Sequence, residues 1–178
     1  MTTEQSEIIA ARDMSTSRVW ESPLRGIGIF QCFRAAELQE IYACGKEQTY
    51  RYKTNVLIEG ESTRGLYVLL EGNVSVYKND PETGALMRIA ILENGAQFGE
   101  FSLFDHAPRS ATVTAESACR MFVLEAQAFE NFLAQKGDEV KVRFYRTCAE
   151  VISSRFRKLN NDYIHAQQLL WKYALRKE

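Results

Sequence analysis

The sequence predicts an α+β, mainly β protein. It reads as an antiparallel β jelly-roll barrel with a short N-terminal helix, a short helix in one loop and two C-terminal helices, the last one long. Three observations carry this. Between Thr49 and Leu124, short runs rich in Val, Ile, Leu, Tyr and Thr are separated by glycines and turn clusters. From Glu125 onward the periodicity becomes helical, and neither Pro nor Gly occurs after Gly137. No parallel βαβ pattern and no internal repeat is visible. At 178 residues, 46% hydrophobic and 25% charged, the chain fits one domain with an appendage.

Taken in order, residues 1–20 are polar and aperiodic and read as a flexible N-terminal arm. Phe33, Leu38, Ile41 and Tyr42 recur at near-helical spacing, which predicts a short helix ending at Gly45. Tyr67/Leu69 and Val74/Val76 alternate around Glu71-Gly72-Asn73 and predict a hairpin there. Residues Asn79-Asp80-Pro81-Glu82-Thr83-Gly84 form a turn in which Pro sets φ and Gly permits a positive one. Glu125–Gln135 is a short helix, punctuated by Lys136-Gly137. Asp138 is the expected N-cap of a final helix reaching about Arg176, on the order of 55 Å long. Along it Tyr145, Cys148, Ile152, Leu159, Ala166, Leu169 and Tyr173 follow a heptad frame interrupted by Arg155 and Asp162. An imperfect two-stranded coiled coil would produce this pattern, and so would a helix half packed on the barrel and half on a second copy. The expected division is thus arm 1–20, barrel 21–136 and long helix 137–178, the last serving as lid or dimer element.

Composition excludes several classes. The longest apolar run, Leu66–Leu70, is far too short to cross a bilayer, and residues 1–20 carry acids without an apolar block, unlike a secretory signal. The four cysteines lie scattered with no Cys-x-x-Cys and read as reduced thiols of a cytoplasmic protein. Two histidines, His106 and His165, are far apart and too few for a metal-dependent jelly-roll enzyme. From Asp138 onward 9 Lys/Arg face 5 Asp/Glu, whereas the first 137 residues carry 13 against 18. That basic end permits weak salt-dependent association with nucleic acid, but no base-reading motif accompanies it.

The stretch from Phe98 to Val113 carries the chemistry. Gly99 allows close backbone approach. Glu100 supplies a carboxylate that suits sugar hydroxyls. Residues 100–104 can make one helical turn whose free N–H groups face an anion. Pro108 stiffens the approach to Arg109, whose guanidinium binds a phosphate in bidentate fashion, and Ser110 adds a donor. The competing structural reading is an ion pair between Glu100 and Arg109.

These residues resemble the cyclic nucleotide-binding domain family, whose phosphate cassette reads F-G-E, a short helix, then P-R-[AST]-A-[TS]-V. The chain has Phe98-Gly99-Glu100 and Pro108-Arg109-Ser110-Ala111-Thr112-Val113. The likeness extends over about residues 30–160. It implies that Glu100 binds the ribose 2′-hydroxyl and Arg109 the exocyclic phosphate oxygens, with amides near Phe101, Ser102, Ser110 and Ala111 completing the cradle. A gapless alignment with the bacterial cAMP-receptor branch places Ser154 against the adenine amino group, with Arg155 beside it. The resemblance implies a non-enzymatic intracellular sensor of a 3′,5′-cyclic purine nucleotide, cAMP before cGMP, without cofactor or metal. Its partners would be a second copy through the C-terminal helix and a downstream effector protein, not a specific nucleic acid or a membrane. Departing from the receptor branch, the segment after Ser154 is too short for a helix-turn-helix. The alternative function is a degenerate domain that acts only as an interaction module.

Overall fold

The computed structural model describes residues 21–105 and 107–174. The arm expected over 1–20, His106 and the end of the last helix at 175–178 lie outside the described residues. A 3-10 turn, η1 (Gly28–Cys32), precedes helix α1 (Ala35–Cys44), which stops at Gly45 as its spacing predicts. Eight strands follow: β1 (Lys46–Tyr50), β2 (Asn55–Leu57), β3 (Gly65–Glu71), β4 (Val74–Asn79), β5 (Leu86–Leu92), β6 (Gln97–Phe98), β7 (Thr112–Ala115) and β8 (Cys119–Glu125). A second 3-10 turn, η2 (Glu100–Leu103), lies between β6 and β7. Helices α2 (Ala126–Lys136) and α3 (Asp138–Ala174) complete the chain. Asp138 is the first residue of α3, directly after Gly137 at φ +81°.

The strands form two four-stranded antiparallel sheets, ordered β1-β8-β3-β6 and β2-β7-β4-β5. The jelly-roll reading therefore holds, but the sheets stay separate and do not close into a barrel. One expectation is corrected: β3 and β4 are not a hairpin, because β3 pairs with β6 and β8 while β4 pairs with β5 and β7. The reason lies in what β3 must cover. Leu66 and Val68 pack into a helix-side cluster with Phe30, Ile41, Phe129 and Phe144, whereas Leu69 packs between the sheets with Val74, Phe98 and Met121. Buried on both faces, β3 lies inside the first sheet between β8 and β6. The chain instead crosses layers at Gly72-Asn73, against the matching corner at 116–119. There the Glu116 N–H donates to the Asn73 carbonyl at 2.9 Å, and the Asn73 N–H to Ser117 Oγ at 3.1 Å. A Cβ on Gly72 would stand 2.7 Å from the Ala118 carbonyl oxygen, so only glycine fits this corner. The β4–β5 hairpin does form over the turn read from Asn79–Gly84: Asp80 Oδ1 accepts the Glu82 and Thr83 N–H groups at 2.8 and 3.0 Å.

The helices cover the outer face of the first sheet. Phe33 sits at the centre, with its ring against Phe129, Phe132 and Phe144 at 5.9–6.2 Å. Only the start of α3 shares this core, through Val140, Phe144 and Cys148. Farther along α3, Ile152, Phe156, Leu159 and Tyr163 are exposed. Among the described residues no helix is long and apolar enough to cross a membrane, and the four cysteines are free thiols.

Candidate functional site

The site is built where the two loops singled out from the sequence meet. Gly99 adopts φ +77° and turns the chain from β6 into η2. A Cβ there would lie 2.8 Å from Arg109 Nη1 and 3.0 Å from the Gly65 carbonyl oxygen. The close approach that this glycine permits is thus that of the guanidinium itself. Arg109 is 5% exposed. Its Nη1 donates to the Gly65 and Gly99 carbonyls at 2.9 and 2.8 Å and to Ser102 Oγ at 3.0 Å; Nε donates to Thr63 Oγ1 at 3.1 Å. Nη2 takes part in none of these bonds. The guanidinium also lies 5.8 Å from the centre of the Tyr67 ring, which stacks on Phe98. Burial lowers the Arg109 pKa from its usual range, opposed by Tyr67 and Glu61, and the group stays cationic at neutral pH.

The backbone of this loop is held as firmly. Gly60 N–H donates to the Arg109 carbonyl at 2.9 Å and Arg109 N–H to the Glu61 carbonyl at 2.8 Å. Lys78 Nζ donates to the Ser110 carbonyl at 2.6 Å and to Glu59 at 2.5 Å.

Glu100, also 5% exposed, does not pair with Arg109. The competing ion-pair reading is therefore incorrect in its partner. Glu100 Oε1 instead accepts from Nη1 of Arg155, a residue of α3. This explains why Arg155 interrupts the heptad frame: the helix turns a cation toward a buried carboxylate that has no other ion-pair partner among the described residues.

Gly99, Glu100, Phe101, Ser102, Arg109, Ser110, Ala111 and Arg155 all line one cavity of about 180 Å³, with Leu57, Val76, Pro108, Val113 and both residues of β6. Ser154 is not brought to it. It lines an adjoining depression with Gly28, Gln31, Glu150, Val151 and Arg155, the last of which borders both hollows. A larger hollow of about 710 Å³ lies near Glu21–Leu38, but its charged groups are already paired, Arg25 with Glu21 and Arg34 with Glu139. Among the described residues no cluster could hold a metal ion.

Two contributors were missed by sequence reasoning. Thr63 holds Arg109 across 46 positions, and no spacing rule connects them. Ser102 was read for its amide, yet its hydroxyl is what orients the guanidinium.

The chain belongs to the cyclic nucleotide-binding domain family, whose model matches residues 47–136. It is similar to a CRP-like cAMP-activated global transcriptional regulator of Mycobacterium tuberculosis (strain ATCC 25618 / H37Rv), 28% identical over 107 residues, covering 60% of this chain and 45% of that one. It is also similar to the cAMP-dependent protein kinase type II regulatory subunit of Drosophila melanogaster, 26% identical, covering 70% and 33%. The chain thus spans less than half the length of either regulator. Among solved structures it matches the N-terminal domain of a transcriptional regulator from Streptomyces coelicolor A3(2), with TM-score 0.67 and 27% identity over 80% of this chain and 95% of that one. A cyclic nucleotide-binding domain from Methylobacillus flagellatus KT aligns with TM-score 0.66 and 26% identity over 76% and 75%.

Proposed function

We propose that the chain is a non-enzymatic sensor that binds a 3′,5′-cyclic purine nucleotide, cAMP in preference to cGMP, and answers through α3. The observation that carries this is the pairing of a buried cation and a buried carboxylate, Arg109 and Glu100, on the wall of one cavity without being spent on each other. Anchoring Nε and Nη1 orients the guanidinium in advance and leaves Nη2 for an equatorial phosphate oxygen. The first N–H groups of η2, which have no intrahelical acceptor, add donors for the same anion. Arg155 occupies Oε1 of Glu100, so Oε2 is left to accept the ribose 2′-hydroxyl. The cavity of about 180 Å³ is below the roughly 300–1,000 Å³ of whole-ligand pockets. It suits the phosphoribose, and the purine then extends toward α3, beside Arg155.

Named relatives support the choice of nucleotide: one is described as cAMP-activated and another as cAMP-dependent. A ligand that touches Glu100 competes for or reinforces its bond to Arg155, and so biases the position of α3. Along the projecting part of α3, exposed Ile152, Phe156, Leu159 and Tyr163 offer the surface on which a second copy or an effector protein would read that bias. No catalytic step is assigned to the site.

Parallel calorimetric titrations with cAMP and cGMP test the proposal. Wild type should bind cAMP more tightly than cGMP, and Arg109→Ala should weaken cAMP by about 100-fold. Arg109→Lys keeps the charge but loses the fork and should weaken it by about tenfold or more. Failure of folded wild type to bind either nucleotide overturns the proposal, as does wild-type affinity in folded Arg109→Ala.

A further inference from the structure

Two residues before Gly99, the chain sends a side chain the other way. Phe98 packs between the sheets, whereas Gln97, its neighbour in β6, borders the cavity but sends its carboxamide to η1, and is 8% exposed. Gln97 Oε1 accepts the Ile29 N–H of η1 at 3.0 Å. The approach is so close that a Cβ on Gly28, at φ +37°, would stand 2.0 Å from that oxygen and 2.9 Å from Nε2. Nε2 itself is buried and has no hydrogen-bond partner among the described residues. Ile29 and Phe30 in turn share the helix-side core with Val140, Phe144 and Cys148 of α3. The depression that Gly28 shares with Glu150, Val151 and Arg155 shows η1 and α3 side by side just where α3 reaches Glu100.

We propose that Gln97 is a positioning residue: its carboxamide fastens the strand entering the ligand cassette to η1, and so transmits occupancy of the cavity to α3. This rests on the cyclic nucleotide reading above and deepens it. The link runs from Gly99 and Glu100 through β6 to Gln97, then through Ile29 to the packed start of α3. It is a second route beside the Glu100–Arg155 bond. One arm of the amide is bound and the other is a buried donor without an acceptor, a costly state to maintain. A shift of β6 against η1 would act on the Gln97–Ile29 bond and, through Ile29 and Phe30, on the packed start of α3.

Hydrogen–deuterium exchange on the full chain decides it, using Gln97→Met and Gln97→Glu, with and without saturating cAMP. Methionine keeps the volume but removes the acceptor. In ligand-free Gln97→Met, exchange at Ile29 should rise about tenfold and exchange over residues 140–148 should rise with it, while the β4–β5 hairpin stays unchanged. Gln97→Glu keeps the acceptor oxygen and should retain wild-type protection at Ile29. With cAMP, the change in α3 exchange seen in wild type should fall to less than about half in Gln97→Met. Wild-type exchange at Ile29 and α3 in ligand-free Gln97→Met overturns the proposal. So does an undiminished cAMP response in that variant, or an Ile29 amide exposed in Gln97→Glu. If wild type bound no cyclic nucleotide, the functional reading would fall on that result, and the ligand-free comparison would still decide whether Gln97 couples β6 to α3.

Discussion

Helix α3 is a single run of 37 residues whose two parts meet opposite fates. In its first part Val140, Phe144 and Cys148 recur at four-residue spacing and are buried; Phe144 is 2% exposed. The same spacing continues through Ile152 and Phe156, yet Phe156 is 62% exposed. Nothing in residue type separates Phe144 from Phe156. The difference is that the rings of Phe33 and Phe129 lie within 5.9 Å of Phe144, whereas Phe156, on a turn that meets the domain through Arg155, has no ring against it among the described residues. Periodicity tells a helix which face is apolar; only an opposing surface makes that face a core.

Truncation sharpens the contrast most strongly. Phe144→Ala should lower unfolding stability by about 3–5 kcal/mol, through lost burial and a cavity in a ring cluster. Phe156→Ala should stay within about 0.5 kcal/mol in the isolated chain. Chemical denaturation of both variants measures this. An equal loss in the two would mean that the projecting part is covered in solution, and would locate a partner there.

The ion pairs of the two parts should differ next. Arg143 donates to Glu37 of α1 at 2.6 Å, with side chains 26% and 11% exposed, while Arg146 and Glu150 form an i,i+4 pair on the open surface. Arg143→Met should cost about 1–3 kcal/mol and Arg146→Met no more than about 0.5 kcal/mol. Glu37 also carries a pH signature. Burial alone would raise its pKa, but the Arg34 N–H and the Arg143 guanidinium outweigh that and hold it below the usual carboxylate range. The unfolded chain therefore binds the proton more readily. Stability from this contact is present above the ordinary glutamate pKa of about 4.5 and is lost as pH falls through the depressed native value. Denaturation midpoints between neutral pH and pH about 3 should show a smaller acid loss in Arg143→Met than in wild type.

The smallest effect is chemical. Burial among apolar side chains, with Cys32 nearby, pushes the Cys148 thiol up to about 12. Exposed Cys44 should alkylate with iodoacetamide in the native protein while Cys148 reacts only on unfolding. Mass spectrometry of partial digests checks this, and native labelling of Cys148 would show that the start of α3 opens readily.

The cassette was legible because its parts are local. Gly99, Glu100, Arg109, Ser110 and Ala111 sit within thirteen consecutive residues, and each type carries its own chemistry. The β3–β4 crossing was not legible. Alternation reports that a strand has two faces, but Leu66 and Leu69 give no sign that each face meets a different layer. Register along α3 points to both Ser154 and Arg155; of the two Arg155 lines the cavity, and both line the depression beside it.

By itself the sequence determined a strand-rich stretch between Thr49 and Leu124, the helical end of the chain, and a glycine, an acid and an arginine at the spacing of the family's cassette. Local backbone preference and side-chain chemistry are properties that neighbours in the chain already express. Only the tertiary structure decided that Glu100 meets Arg155 across 55 positions, that Thr63 and Ser102 hold Arg109, and that Gln97 reaches Ile29. Those contacts depend on how the layers stack, and stacking is settled by which apolar faces bury one another, not by what lies next along the chain.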